Sequence, residues 1–345
     1  MDSMYNLSMN IEGGDIPFLN IQPEKERIGK GYESIVFPLN EDWVLKRINR
    51  FENDGSPKSP DRIRYFNDLH ASPEFQEEQD KLEKIFGKDY FYKTTYIKGN
   101  NEKGDLEWFG IQKRVHGETL KTLVSDREKR IYRNQEEMVF KNREDMSEII
   151  WGMKKAFIEL GSPIDFHSQN LMRDERTGKV VIIDTGNPSQ EARYIFEESF
   201  HHGTKGRLEH SLESSYGRLH LLKEYERYLK LSQEEIDNLD KKYGINDELY
   251  NSQVRKLDER RDSIGISAQE MQRRVEEGTA EGMMKKMFAG REEISGNDVL
   301  KFADERLKGQ EVPKETKRLL ERIKEMSKTT GDMKFWKGII FGEEN

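Results

Sequence analysis

At 345 residues, with 36% charged side chains and only 34% hydrophobic ones, the chain is long enough for about two or three folded units, but it must concentrate its apolar residues to give any of them a core. The net charge of −8 has the wrong sign for a protein that works through counterion release on nucleic acid. The absence of cysteine removes disulfides, thiolate nucleophiles and Cys-ligated zinc, as expected of a cytosolic protein.

Residues 1–15 carry no basic start and no apolar run, so no signal peptide is read there. The most apolar runs, 180–183 and 338–341, fall far short of the roughly 20 residues a membrane helix requires. A soluble, cytoplasmic protein is expected, with export lacking a cleaved signal, as for an effector, as the alternative.

In chain order, residues 1–21 read as a flexible arm. Gly29-Lys30-Gly31-Tyr32-Glu33-Ser34-Ile35-Val36-Phe37, a turn at 38–42 and Trp43-Val44-Leu45-Lys46-Arg47-Ile48 read as a β-hairpin with a further run of β-formers. After a polar loop at 51–61, residues 73–86 take helical spacing, and 89–97 and 106–115 read as two more strands. Asp145 with Glu148 three residues on predicts a capping box, opening a helix with Ile149, Met153, Ala156, Phe157 and Leu160 on one face and Gly161 as its stop. A second hairpin, 170–172 with 179–184, follows. Ser189 is expected to cap a helix over 191–201, and Pro313 to open a late one.

Three pieces carry chemistry. In Gly29-x-Gly31-x-x-Ser34-x-Val36, between two strands, small residues let backbone N–H groups approach a polyphosphate, although such turns are common without that role. Lys46, in the apolar run Val44-Leu45-Lys46, needs a partner for its ammonium or an edge position. Most specific is Asp165-Phe166-His167-Ser168-Gln169-Asn170 after a helix, followed through a hairpin by Ile183-Asp184-Thr185-Gly186. Metal-dependent phosphoryl transfer requires such a set: a carboxylate facing the acceptor hydroxyl and two oxygen ligands for Mg²⁺ on a rigid hairpin.

At these residues the chain resembles the protein-kinase-like superfamily over roughly residues 24–220. The resemblance implies an α+β, two-lobed fold with a β-rich N-lobe at 22–114, a helical C-lobe at 115–245 and an α-helical extension at 246–345. It implies ATP and Mg²⁺ as cofactors, with Gly29, Gly31, Ser34 and Val36 on the phosphates and Lys46 holding them while paired to a glutamate. Glu78 is the best match for that glutamate, with Glu74 and Glu77 as rivals. Val115-His116-Gly117-x-x-Leu120 places the adenine contacts near Gln112 to Val115, with Lys113 and Val115 as candidates. Asp165 would be catalytic, Asn170 and Asp184 metal ligands, and His167 either a contact to the γ-phosphate or acceptor, or a brace of its loop.

Departures from the family pattern carry their own expectations. Pro163 and Ile164 stand where protein serine/threonine kinases have His-Arg, and Asp-x-His-x-x-Asn is similar to the loop of aminoglycoside phosphotransferases and of some divergent phage and effector kinases. No Ala-Pro-Glu triplet is evident, and Asn187-Pro188-Ser189 runs directly toward a helix. Constitutive activity, or control by a partner, is therefore expected.

The leading reading is a divergent protein serine/threonine kinase acting on a basic protein substrate, without nucleic-acid or membrane partners. A small-molecule kinase and a nucleotide-binding pseudokinase scaffold are the alternatives. His201, His202, His210 and His220 lack a ligand motif and read as ordinary histidines, and Met271, Met283, Met284 and Met287 read as core filling rather than a partner groove. Residues 246–345 hold 20 basic and 21 acidic side chains, so nearly all the net charge lies ahead of them. They offer a docking surface for a partner but no motif.

Overall fold

The computed structural model describes residues 27–30, 34–51, 56–60, 63, 69, 72–100, 106–125, 135–186, 188–196, 205–278 and 301. Gly31, the 1–21 arm, His201, His202, Met283, Met284, Met287 and the helix expected at Pro313 lie outside the described residues. Contacts divide the chain into two units: residues 1–193 with 221–253, and residues 194–220 with 254–345. The described residues form a small antiparallel sheet and a mostly helical remainder, a mixed α+β architecture. No described helix is long and apolar enough to cross a membrane.

The first unit opens with β1 (Gly29–Lys30), β2 (Ser34–Pro38) and β3 (Trp43–Ile48), continuing through β4 (Thr94–Asn100) and β5 (Leu106–Lys113). They make one five-stranded antiparallel sheet in the order β1-β2-β3-β5-β4. The β2–β3 turn is local chemistry: Asn40 Oδ1 accepts the N–H groups of Asp42 and Trp43 at 2.8 and 2.9 Å, an Asx turn. Phe37, Leu45, Phe109 and Ile111 bury one face. The strand expected at 89–97 begins only at Thr94. Residues 90–92 instead join the second hairpin, with Ile182 N–H donating to Tyr90 O at 2.8 Å and Tyr92 N–H to Ile182 O at 3.3 Å.

Helix α1 (Pro73–Phe86) follows its signals: Ser72 Oγ accepts the Phe75 N–H at 3.2 Å, Pro73 occupies the first turn, and Gly87 ends it. Beyond β5 come α2 (Leu120–Ser125), α3 (Gln135–Lys141) and α4 (Arg143–Leu160). Helix α4 is buried on more than the one expected face, because Met146, Ile150 and Trp151 are also inside. Its Gly152 permits flush packing against α1; a Cβ there would lie 2.4 Å from the Phe86 ring.

The expected capping box does not form. The helix starts at Arg143 after Asn142, which makes no side-chain cap. Asp145 turns to the second hairpin, where its Oδ2 accepts the Val180 N–H at 2.9 Å, while Glu148 accepts the Tyr243 hydroxyl at 2.6 Å. A strand amide brought alongside by the tertiary fold outcompetes the local cap.

That hairpin is β6 (Leu171–Arg173) with β7 (Val180–Ile182), and α5 (Pro188–Phe196) follows it. Ser189 lies inside the first turn of α5, not ahead of it, and the helix is described only to Phe196. Residues 221–229 of α6 (Lys205–Leu229), helix α7 (Gln233–Tyr243) and the start of α8 (Asp247–Ser263) complete this unit. Its core gathers α4, Phe91, Ile164, Phe166, Ile182, Leu222 and Tyr225.

In the second unit, Leu208 and Leu212 on the earlier part of α6, Leu257 on the later part of α8 and Met271 on α9 (Ala268–Gly278) are buried. Tyr216 donates to Asp258 at 2.7 Å, and Arg274 bridges Glu209 and Glu213 at 3.2 and 3.0 Å. Met271 fills core as expected; His210 and His220 are exposed.

Candidate active site

All the described candidate residues belong to the first unit. In the loop that leaves α4 from Gly161 to Asn170, burial alternates over residues 164–167: Ile164 and Phe166 point inward, Phe166 meeting the Tyr225 ring edge-on at 5.1 Å. That alternation leaves Asp165 and His167 partly exposed, with side chains 36% and 29% accessible.

The loop braces itself. Asn170 Nδ2 donates to Asp165 O at 2.9 Å, and Asn170 N–H to His167 O at 2.8 Å. The Gln169 N–H donates to His167 Nδ1 at 3.2 Å, which leaves Nε2 as the ring atom facing Asp165 Oδ2, 3.7 Å away. That separation exceeds a hydrogen bond.

The segment after β7 is woven onto this loop. Ile183 N–H donates to Asn170 O at 2.9 Å and Asp165 N–H to Thr185 O at 3.0 Å. Asp184, exposed, accepts the Gly186 N–H on Oδ1 at 3.1 Å. Gly186 has φ +64°, and a Cβ there would sit 3.0 Å from Asp165 Cβ, so this close approach favours glycine.

From the sheet, Lys46 on β3, opposite Val36 and Gly110, reaches the Ile183 carbonyl with Nζ at 3.1 Å. Gln112 on β5 donates to that carbonyl at 3.0 Å and also to Tyr92 O. Lys46, the Asp165–Asn170 loop and the Ile183–Asp184 segment are thereby joined by a hydrogen-bond path through backbone carbonyls and amides. Gly29 pairs with Val36, and Ser34 lies opposite Ile48. Lys113 is exposed with its ammonium 4.4 Å above the Tyr92 ring, and Val115 is half-buried.

Glu78 is not placed on Lys46. It is buried in α1, where its Oε2 accepts the Ser189 N–H at 2.7 Å and its Oε1 has no hydrogen-bond partner. The reason is geometric: the first turn of α5 presents an unsatisfied amide and a positive helix end to this carboxylate. Burial dominates and lifts its pKa from 4.5 to about 7, against the Ser189 hydrogen bonds and the Lys81 charge. Glu74 and Glu77 are exposed on the same helix.

The donor set suits Mg²⁺. Asn170 uses its amide nitrogen within the loop, so its oxygen is the atom left for a cation, and Asp184 adds a carboxylate; hard oxygen donors of this number, completed by phosphate oxygens and water, are how Mg²⁺ is usually held. Among the described residues, no group of three or more His, Cys, Asp or Glu could hold a metal without such help.

Two participants had no assigned side-chain contact at sequence level. Gln112 was read only as lying near the base, although an amide inside Trp108-Phe109-Gly110-Ile111-Gln112 signals a required partner. The Ser189 amide, which claims Glu78, is marked in the sequence as part of a helix start, but nothing there names its acceptor.

No protein-family model and no curated protein matches the chain. Among solved structures, the MAP kinase LmaMPK10 from Leishmania major is similar over 46% of this chain and 44% of its own, at 12% identity and a TM-score of 0.27. WbdD is similar over 67% of this chain and 51% of its own, at 14% identity and a TM-score of 0.31. The chain thus spans about half the length of these two proteins, and superpositions of that quality add no argument to the geometry.

Proposed function

We propose that the chain is an ATP- and Mg²⁺-dependent phosphotransferase of two-lobed, protein-kinase-like architecture, moving the γ-phosphate to a serine or threonine hydroxyl of a protein. The observation that carries this reading is the weave in which Lys46 Nζ meets Ile183 O, Ile183 N–H meets Asn170 O, and Asn170 Nδ2 meets Asp165 O. It links Lys46, through backbone carbonyls and amides, to the segment that carries Asp184 and to the loop that carries Asp165 and Asn170, residues of the types phosphoryl transfer uses.

In the reaction so read, Asp165 turns the acceptor hydroxyl toward the γ-phosphorus and takes its proton as the new P–O bond forms; the bond to the bridging oxygen breaks and ADP leaves with that electron pair. Lys46 and backbone amides of the Gly29-x-Gly31-x-x-Ser34-x-Val36 segment offset phosphate charge. Mg²⁺ held by Asn170 and Asp184 would neutralise the β- and γ-phosphates. His167 either braces the loop, its Nδ1 accepting the Gln169 N–H, or contacts the acceptor or γ-phosphate. Rate then comes from positioning and electrostatics. The overall charge of −8 suits a basic acceptor, and the helices of the 246–345 extension are read as a docking surface for a partner.

A small-molecule acceptor is the second reading. One observation favours it: α5 begins at Pro188, just past Gly186, leaving no long segment there to receive a peptide.

Incubation with ATP labelled separately at the α- and γ-positions, with and without protein acceptors, tests all readings. Only γ-label on protein is expected, and Asp165→Ala should lose it while still binding nucleotide. γ-Label on a small molecule favours the second reading, α-label means nucleotidyl transfer, and no label with retained ATP binding means a scaffold.

A further inference from the structure

We infer that Gln112 is a positioning residue for Asp184, holding the peptide unit in front of that carboxylate so that the metal ligand stays in place whether or not nucleotide is bound. The inference rests on the phosphotransferase reading and adds to it a residue for which the reaction itself supplies no role.

Gln112 is buried, 4% exposed, on a strand whose neighbours Phe109 and Ile111 are core. A buried primary amide is costly unless its donors are used. Both are: Nε2 donates to Ile183 O at 3.0 Å and to Tyr92 O. The orientation follows from chemistry, since a flipped amide would set its oxygen against two carbonyl oxygens.

The Ile183 residue is gripped from both sides. Its carbonyl receives Gln112 and Lys46, and its N–H is held by Asn170 O at 2.9 Å. Turning the peptide between Ile183 and Asp184 would break the two carbonyl bonds together. The two donors differ in what else is asked of them. An ammonium in a nucleotide site is drawn toward phosphate oxygens, whereas a neutral amide between two carbonyls has no such competitor. With nucleotide present, Gln112 is the donor that keeps the Ile183 carbonyl, and hence the Asp184 carboxylate, where the metal needs it. Tyr92, the other partner, is joined to the hairpin through its N–H on Ile182 O and its hydroxyl on Asp174 at 3.3 Å, so the amide has a rigid second anchor.

The test compares wild type with Gln112→Met, which keeps length and loses both donors. Mn²⁺ binding in the presence of ADP, followed by electron paramagnetic resonance, is expected to weaken by about tenfold, the usual scale for removing support behind a metal ligand. Binding of ADP in EDTA should weaken clearly less than Mn²⁺ binding does, and urea unfolding should remain cooperative. Equal Mn²⁺ affinity in variant and wild type overturns the inference, as does an equal loss of metal-free ADP binding, which would make Gln112 a part of the base pocket or of the fold.

Should the methionine variant not fold, the wild type decides. The Gln112 side-chain amide protons should exchange slowly with solvent and remain slow when Mg²⁺ and ADP are added; fast exchange in either state overturns the clamp. A wild type that binds no metal–nucleotide pair at all overturns the phosphotransferase reading itself, a result distinct from a wild type that binds and a variant that binds alike.

Discussion

Replacing Glu78 by glutamine removes one buried titration while keeping an acceptor for the Ser189 N–H. Glu78 is 2% exposed, and burial holds its pKa near 7 rather than 4.5. The folded state binds the proton more tightly than the unfolded chain. The stability supplied by the neutral carboxyl is therefore fully present below pH 4.5 and is lost as pH rises through about 7. At about 1.4 kcal/mol per pKa unit the whole loss is about 3 kcal/mol, and about 2 kcal/mol of it falls between pH 5.5 and 8. Urea unfolding of wild type and Glu78→Gln at half-unit steps across that window reads the difference directly, since other titrating groups cancel. The variant's profile should be flatter by about 2 kcal/mol over the window. Parallel profiles, with a difference constant to within about 0.5 kcal/mol, would refute the reasoning.

Two further substitutions probe the packing around the site. Helix propensity alone favours Gly152→Ala by about 1 kcal/mol, but a Cβ 2.4 Å from the Phe86 ring reverses the sign, so a net loss of about 1–3 kcal/mol is expected in urea unfolding; a raised midpoint would contradict it. Asp145→Ala strips the Val180 N–H of its partner and should cost about 1–3 kcal/mol, with Asp145→Asn, which retains an acceptor, recovering most of that. Equal losses in the two variants would show that the hydrogen bond is not what Asp145 contributes.

How much of this could be read from the chain differs from element to element. The Asn40 turn, the Ser72 cap with Pro73, and the halt at Gly161 follow from residues within a few positions of one another, and each forms as the local pattern indicates. The relative nearness of Asp165 and Asn170 is likewise local, because five residues in a loop leave little freedom and the asparagine amide closes the ring onto Asp165 O. By contrast, Asp145 with Glu148 satisfies the capping pattern and yet caps nothing, because the Val180 amide arrives from a hairpin 35 residues later. The strand expected from residue 89 lost its first residues to β7 for the same reason: Tyr90 and Tyr92 found partners on Ile182.

Glu78 makes the distinction sharpest. From the apolar spacing of α1 its position on the buried face is evident, and its identity as an acid is plain; which cation or amide it would meet is not. A buried carboxylate takes whichever donor the fold delivers, and the fold delivers the first turn of α5, 111 positions away. Short-range chemistry, acting over one turn or one loop, settles most of the elements and the internal bracing of the Asp165–Asn170 loop. Pairings across the fold, among them Gln112 and Lys46 on one carbonyl and Glu78 on a helix end, depend on long-range packing, in which burial selects among donors that the linear order leaves equivalent.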